Sequence, residues 1–191
     1  IFPLLVLLFC TAIYAHDNIS IHPAITEIAV GKSNIDQYLK DNLNLKDGLK
    51  TTLQPVENQT VLYLLSKGST AEDSPMCRAS NHFHDPLKSW DVSGRSDNSF
   101  VIGLINQYCN LQSWPSPYYS DITWSTGLTA PISTPIPYNP DNDKSPNMWG
   151  NARTLYYNAL TATNQTTREN NFAQMFKALG QVMHLLQGVA S

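Results

Sequence analysis

The chain has 191 residues, a net charge of −3, 42% hydrophobic residues and only 14% charged residues. This length suits one domain, and the composition is that of a foldable chain rather than a disordered one. The slightly acidic balance argues against a basic groove for nucleic acid, so we expect no stable nucleic-acid complex. We also expect a monomer whose mature form has no transmembrane segment.

The first 15 residues form an almost wholly apolar stretch centred on Leu4-Leu5-Val6-Leu7-Leu8-Phe9. A helix that spans a bilayer needs about 20 apolar residues, so this stretch is too short. The small residue Ala15 at its end is typical of a signal-peptide cleavage site. We therefore predict a signal peptide at 1–15, with its charged start missing, and a mature chain at 16–191 that is secreted or periplasmic. A membrane anchor or a buried N-terminal segment is the alternative.

Removal of this leader would take Cys10 with it and leave Cys77 and Cys109. An even pair of cysteines in an oxidising compartment can form a disulfide. The sequence alone leaves open whether these two do so.

Apolar residues recur at helical spacing near the predicted mature N-terminus, where Ile21, Ile25 and Ile28 predict a helix that ends at Gly31. Its first turn carries His22. Ser33, with an acidic residue at Asp36, resembles a capping box that opens a second helix.

A third helix is predicted from Asn58 as its cap, through the apolar run 61–65, to Gly68 as its end. From 87 to 145 the chain is rich in Ser, Asn, Pro and aromatic residues, which indicates a long irregular insertion with a short helix at 100–108. The aromatic residues of this insertion suit a substrate cleft, a membrane contact or a cover over the core.

Two helices follow the insertion. Ser145-Pro146 is typical of a helix start, and a Thr166 to Glu169 capping box opens the longest helix. This last helix carries His184 one turn after Gly180, a glycine that leaves room for a ligand or for another backbone. Since no run alternates as a strand does, we predict an all-α fold, with a single helical domain at 16–191.

Carboxylates and imidazoles are concentrated between Gly68 and Pro86, a stretch that contains Glu72, Asp73, His82 and His84. Such side chains suit zinc. We interpret the metal ligands as Asp73, His82, His22 and His184. Alternatively, the loop histidines bond to nearby backbone, Glu72 and Asp73 are a solvated acidic pair, and His184 is a core histidine bonded to a carbonyl.

Four segments in this order resemble the secreted zinc-dependent phospholipases C and the related fungal single-strand-specific nucleases. They are His22-Pro-Ala-Ile-Thr-Glu-Ile-Ala-Val, Gly68-x-x-Ala71-x-Asp73, His82-Phe-x-Asp85-Pro86 and Leu179-Gly180-x-x-x-His184-Leu-Leu. The resemblance covers roughly 20–35, 60–86 and 146–188. It implies an all-helical bundle with up to three zinc ions in a cleft. The zinc ligands that it implies here are His16 (as the mature N-terminal residue), His22, Asp73, His82 and His184, with Asp73 also acting as the catalytic base.

The chain departs from the family pattern at two places. The family continues its last motif as His-x-x-x-Asp, but Gly188 stands at that position, and the sequence ends at Ser191 before the family's later Pro-x-His. We therefore expect at most one weakly bound zinc ion here, in a fragment or a decayed copy.

Two functional hypotheses follow. The first is a secreted zinc-dependent phosphoesterase that acts on phospholipid or nucleic-acid phosphodiesters and lacks full activity as written. The second is a non-catalytic secreted helical protein that binds a surface or partner through its aromatic loop.

Overall fold

The structure is a computed structural model that describes residues 20–53, 59–74, 76–94, 100–111, 119–131, 133–134, 136, 144 and 146–189. Its helices are α1 (Ile21–Lys32), α2 (Ile35–Leu43), α3 (Val61–Ala71), α4 (Met76–Ala79), α5 (Phe100–Leu111), α6 (Asp121–Thr126), α7 (Met148–Thr161) and α8 (Gln165–Val189). Two-residue strands β1 (Thr52–Leu53) and β2 (Gln59–Thr60) pair antiparallel, and 3-10 turns cover Gly48–Lys50 and Trp90–Val92.

The predicted all-α fold is confirmed, and α8 is the predicted longest helix, with 25 residues. The leader, its cleavage site and His16 lie outside the described residues. Within the described ranges, no helix combines the length and the apolarity that crossing a membrane requires.

Helix α8 organises the core because it packs against both α3 and α7. Its stripe buries Phe172 and Phe176 completely or almost so, as the i, i+3, i+4 spacing of apolar residues predicts. The main core also contains buried residues of the other helices and of the 44–53 connection: Val30, Leu39, Leu43, Leu45, Leu49, Leu53, Val61, Leu64, Leu65, Ala152 and Ala159.

Helices α3 and α8 cross at two glycines, Gly68 and Gly180. A Cβ at Gly180 would overlap the carbonyl oxygen of Leu65, and one at Gly68 would overlap that of Lys177. The prediction that Gly68 ends its helix is therefore wrong, since α3 continues to Ala71. Gly68 is needed there because the backbones of the two helices are in contact. Gly180 was predicted to leave room for a ligand or for another backbone, and the structure shows the backbone of α3 beside it.

Helix α1 is confirmed, but it ends at Lys32 rather than Gly31. Its isoleucines do not form the buried face of the helix, since Ile28 is 59% exposed whereas Thr26 is fully buried. The inner face carries Thr26 because its hydroxyl accepts a hydrogen bond from Gln187 Nε2 at 2.9 Å.

The predicted capping boxes are not formed. Helix α2 has Asn34 at its N-cap position without a side-chain cap bond. Asp36 instead accepts a hydrogen bond from the Leu49 backbone N–H at 2.8 Å, which ties the helix to the following turn. At α8 the Asn164 side chain accepts a bond from the Thr167 N–H at 2.8 Å, and this asparagine replaces Thr166 as the cap.

The starts of two other helices also differ from the predictions. Helix α3 is capped by Thr60, whose hydroxyl accepts a bond from the Tyr63 N–H at 3.2 Å, while Asn58 lies outside the described residues. Helix α7 begins after Asn147, whose side chain accepts a bond from the Gly150 N–H at 2.8 Å. Pro146 of the predicted start therefore lies before the helix, and Ser145 lies outside the described residues.

The segment predicted as an insertion contains the expected short helix, extended to Leu111 as α5. Much of its middle lies outside the described residues. Its second helix, α6, brings the fully buried Trp124 into a smaller core cluster with Cys77, Cys109, Met148 and Leu185. This segment therefore packs against α8, the helix that carries His184.

Cys77 and Cys109 form a disulfide, with Cα atoms 5.6 Å apart and 32 residues of sequence separation. The bond links α4 to α5, so the question that the sequence left open is answered. Because a cross-link restricts the unfolded chain, a loop of this size is worth about 3.7 kcal/mol.

Replacing both Cys77 and Cys109 with serine is expected to lower the free energy of unfolding by about 3.7 kcal/mol. Urea denaturation of the oxidised wild type and of the double variant measures the difference. Reductant should reduce the stability of the wild type by a similar amount and leave the double variant unchanged. Equal stabilities without reductant would contradict the prediction.

Candidate metal centre

His184 is buried on the inner face of α8, at 2% exposure. Its Nδ1 lies 2.7 Å from the backbone carbonyl oxygen of Ser69, at the α3–α8 crossing. A carbonyl oxygen only accepts, so Nδ1 carries the proton and Nε2 is left with a lone pair. The expected alternative of a core histidine bonded to a carbonyl is therefore correct for Nδ1, while Nε2 faces His82 and Asp73.

Asp73, His82 and His184 place three potential ligand atoms in a compact triangle. His82 Nδ1 lies 3.3 Å from Asp73 Oδ1 and 3.3 Å from His184 Nε2, and the latter two atoms are 3.5 Å apart. Ligands at about 2.1 Å from a tetrahedral zinc ion are about 3.4 Å from one another. The triangle therefore has the dimensions of one face of a zinc tetrahedron.

The same distances allow a metal-free arrangement in which His82 Nδ1–H donates to His184 Nε2 or to Asp73. This arrangement gives a partner to His82 Nδ1 but not to the other nitrogen of the same ring. His82 Nε2 is buried, and it has no hydrogen-bond partner among the described residues. Two imidazoles and a carboxylate on one face form a donor set that suits zinc.

His22 reaches this cluster from the first turn of α1. Its ring lies against that of His184, with centroids 3.9 Å apart. Its Nδ1 lies 2.8 Å from Gln187 Oε1, and the Gln187 amide is itself held by Thr26. One ligand atom each from His22, Asp73 and His184 lies within 4.8 Å of the others. This set is looser than the triangle, and it makes His22 a further candidate ligand beside Asp73 and His184.

The electrostatics of the cluster favour the forms that bind cations. Burial lowers the pKa of His22, so its neutral, metal-binding form is favoured. Burial acts to raise the pKa of Asp73, but contact with His184 and the nearby imidazoles outweighs burial and leaves the pKa below its ordinary value. Asp73 is therefore a carboxylate at neutral pH.

Glu72 is fully buried, which excludes the solvated acidic pair for this residue. Burial acts to raise its pKa, but His82 and the Arg78 guanidinium outweigh burial and keep the pKa low. Glu72 Oε2 accepts a bond from Arg78 Nη2 at 2.7 Å, and Oε1 accepts one from Trp124 Nε1 at 2.7 Å.

His84 points to a different set of groups. Its Nδ1 lies 3.1 Å from Ser93 Oγ and 3.7 Å from Asp121 Oδ1. Burial raises the pKa of Asp121. Within the described residues, no hydrogen bond or ion pair joins His84 to the triangle, so His84 is a suitable control for the ligand histidines.

The structure thus brings together His22, Asp73, His82 and His184, and their roles as metal ligands remain predictions. Gly188 lies beside the cluster: among the described residues, the nearest atom to a Cβ there would be the His82 carbonyl oxygen, at 3.9 Å. A larger side chain at this position therefore has room.

Sequence reasoning missed the partners that orient two of the rings, the Ser69 carbonyl for His184 and Gln187 for His22. Ser69 acts through its backbone carbonyl, which leaves no side-chain signature. Gln187 had a weak signal, because it stands three residues after His184 on the same helix and such residues are neighbours.

No protein-family model, curated protein or solved structure matches this chain.

Proposed function

We propose that this chain is a secreted, zinc-binding protein of the phosphodiester hydrolase class, with its metal held by Asp73, His82 and His184 and by His22 at the fourth position. The observation that carries this proposal is the ligand triangle of Asp73, His82 and His184, with sides of 3.3, 3.3 and 3.5 Å. The Cys77–Cys109 disulfide supports the secreted location, since disulfides persist in oxidising compartments.

The residues of the cluster divide the work of such a site. His82 and His184 supply neutral nitrogens, and Asp73 supplies a negative charge. When bound, a zinc ion provides Lewis acidity toward phosphate oxygens and makes water more acidic. Asp73, with 18% of its side chain exposed, has access to solvent and can orient a water molecule and accept its proton.

The substrate class in this proposal is a phosphodiester, from a phospholipid or from a nucleic acid. A net charge of −3 disfavours long polyanions, because phosphate contacts with cationic side chains dominate the affinity for nucleic acid.

A non-catalytic zinc protein is the second candidate, and Gly188 favours it. This residue faces the His82 backbone without any side chain. A carboxylate here would add a ligand, and without it the cluster offers few charges to balance a second ion. Turnover by the wild-type chain should accordingly be very low.

Gly188→Asp is expected to tighten zinc binding, because an added carboxylate beside the cluster supplies both a ligand and a negative charge. It should not restore turnover by itself. Zinc affinity is measured by competition with a chromophoric chelator, and Gly188→Asn serves as the matched uncharged control. An affinity no higher than that of Gly188→Asn would contradict the prediction.

Binding of bis(p-nitrophenyl) phosphate to the same zinc-loaded proteins tests the function. Phosphorus NMR should detect binding that requires zinc and is lost when a chelator removes it, while release of nitrophenolate stays near the uncatalysed rate. Zinc binding without any diester binding would favour the non-catalytic protein.

A further inference from the structure

Glu72 is held by groups from two different parts of the chain. Arg78, six residues later in the chain, donates a hydrogen bond to one carboxylate oxygen, and Trp124 of α6 donates one to the other, each at 2.7 Å. The Arg78 guanidinium also lies over the Trp124 ring, 5.4 Å from its centroid. Glu72 itself has no exposed surface. A buried carboxylate fixed in this way has one orientation.

The third neighbour of this carboxylate is a ring of the candidate metal centre. Glu72 Oε1 lies 3.8 Å from His82 Nε2, which is beyond hydrogen-bond length. Within the described residues, this buried nitrogen has no hydrogen-bond partner. The opposite nitrogen of the same ring, Nδ1, faces Asp73 and His184.

Metal binding through Nδ1 decides the state of Nε2. A neutral imidazole that offers a lone pair at Nδ1 carries its proton at Nε2. That N–H would be a buried donor, and a buried donor without an acceptor is costly. The Glu72 carboxylate, whose Oε1 lies 3.8 Å away, is an acceptor within reach.

The other two histidines of the cluster have such partners already. His184 Nδ1 lies 2.7 Å from the Ser69 carbonyl oxygen, and His22 Nδ1 lies 2.8 Å from Gln187 Oε1. In each case an oxygen on the outer side of the ring fixes the tautomer that leaves the inner nitrogen with a lone pair. Such outer partners orient ligands and raise their basicity.

We propose that Glu72 is a positioning residue that accepts the Nε2 proton of His82 and so directs His82 Nδ1 toward the metal. The proposal rests on the metal centre of the proposed function. It also gives Trp124 a role at the site, because Trp124 and Arg78 fix the carboxylate that fixes the ring.

Glu72→Gln tests the proposal, because the amide keeps the size of the side chain but loses the charge toward His82. Zinc affinity should fall by about 10–100-fold, the range associated with loss of an outer partner. Glu169→Gln is the matched control. Glu169 lies 15 residues before His184 on the same helix, about 22 Å away along the helix axis. The zinc affinity of Glu169→Gln should therefore equal that of the wild type.

Nitrogen-edited NMR of the zinc-loaded wild type provides a second test that needs no variant. The His82 Nε2–H should give a slowly exchanging, strongly downfield proton signal, as a buried donor to a carboxylate does, and Glu72→Gln should move it upfield. A purely structural role for Glu72 would not move this signal while the protein stays folded.

The outcomes separate the two proposals. Reduced zinc affinity in Glu72→Gln together with the shifted proton signal supports the positioning role. Wild-type affinity in Glu72→Gln, or no protected Nε2–H in the zinc-loaded wild type, overturns the role of Glu72 and leaves the metal centre standing. A wild type that binds no zinc overturns both.

Discussion

Gly180→Ala is expected to lower the free energy of unfolding by more than about 4 kcal/mol. The added methyl group would overlap the Leu65 carbonyl oxygen, and the nearby Gly68 Cα and Ser69 N are also main-chain atoms. Ordinary overpacking costs about 1–3 kcal/mol because side chains can move aside. Here two helix backbones must separate, so the cost should exceed that range.

The same variant should also weaken the candidate metal centre. Ser69, next to Gly68 at the crossing, provides the carbonyl oxygen that lies 2.7 Å from His184 Nδ1. Moving α8 away from α3 would lengthen this bond and release the ring. Zinc affinity measured under conditions where Gly180→Ala is still folded should therefore fall as well.

Gly31→Ala is the matched control for Gly180→Ala. Gly31 is also helical, in the last turn of α1, and an added Cβ would meet nothing within 4 Å. Alanine is favoured over glycine in helices by up to about 1 kcal/mol, so this variant should be neutral or slightly stabilised. Urea denaturation followed by circular dichroism compares the two. A loss below about 1 kcal/mol in Gly180→Ala would show that the helices do not cross so closely.

The helices were predictable because their signals are local. The pattern of apolar residues at i, i+3 and i+4 along α8 is recognised from neighbouring positions alone. Phe172 and Phe176 are buried as that pattern predicts. Burial of α1 was less predictable, because the residue that faces inward, Thr26, has its partner on α8.

The errors arose where the reason for a residue lies far away in sequence. Gly68 has the local pattern of a helix end, but its reason is the backbone of α8, which no local pattern contains. Likewise, the local pattern predicts Asp36 as part of a capping box, whereas its carboxylate accepts a hydrogen bond from the Leu49 N–H. Local rules rank possible partners but do not include those supplied by tertiary contacts.

The candidate metal centre follows the same division. Its four side chains, His22, Asp73, His82 and His184, could be selected from residue type and order. The partners on the outer side of the rings could not be selected in this way. Glu72 and Asp73 are adjacent acidic residues, and the sequence does not indicate which of the two side chains faces the cluster. Both residues lie in the turn that follows α3, where Glu72 is buried and Asp73 faces His82 and His184.

His184→Ala is expected to abolish tight zinc binding. The variant removes one corner of the ligand triangle, so the loss should exceed the roughly 10–100-fold cost of losing an outer partner. A ligand that binds only the folded state stabilises it by about 2.7 kcal/mol at a hundredfold excess over its Kd. Zinc should therefore raise the unfolding free energy of the wild type and leave that of His184→Ala almost unchanged.

His84→Ala is the control that makes this comparison decisive. It removes an imidazole only two residues from His82, but in the part of the chain that the structure describes its polar contacts are with Ser93 and Asp121. It should keep the zinc affinity of the wild type and the stabilisation that zinc brings. Because both variants lose one histidine, a general effect of histidine content on zinc binding would reduce affinity in both. Equal zinc binding by wild type and His184→Ala would contradict the metal centre, since the two remaining corners, Asp73 and His82, would then bind the ion without the third ligand that the geometry supplies.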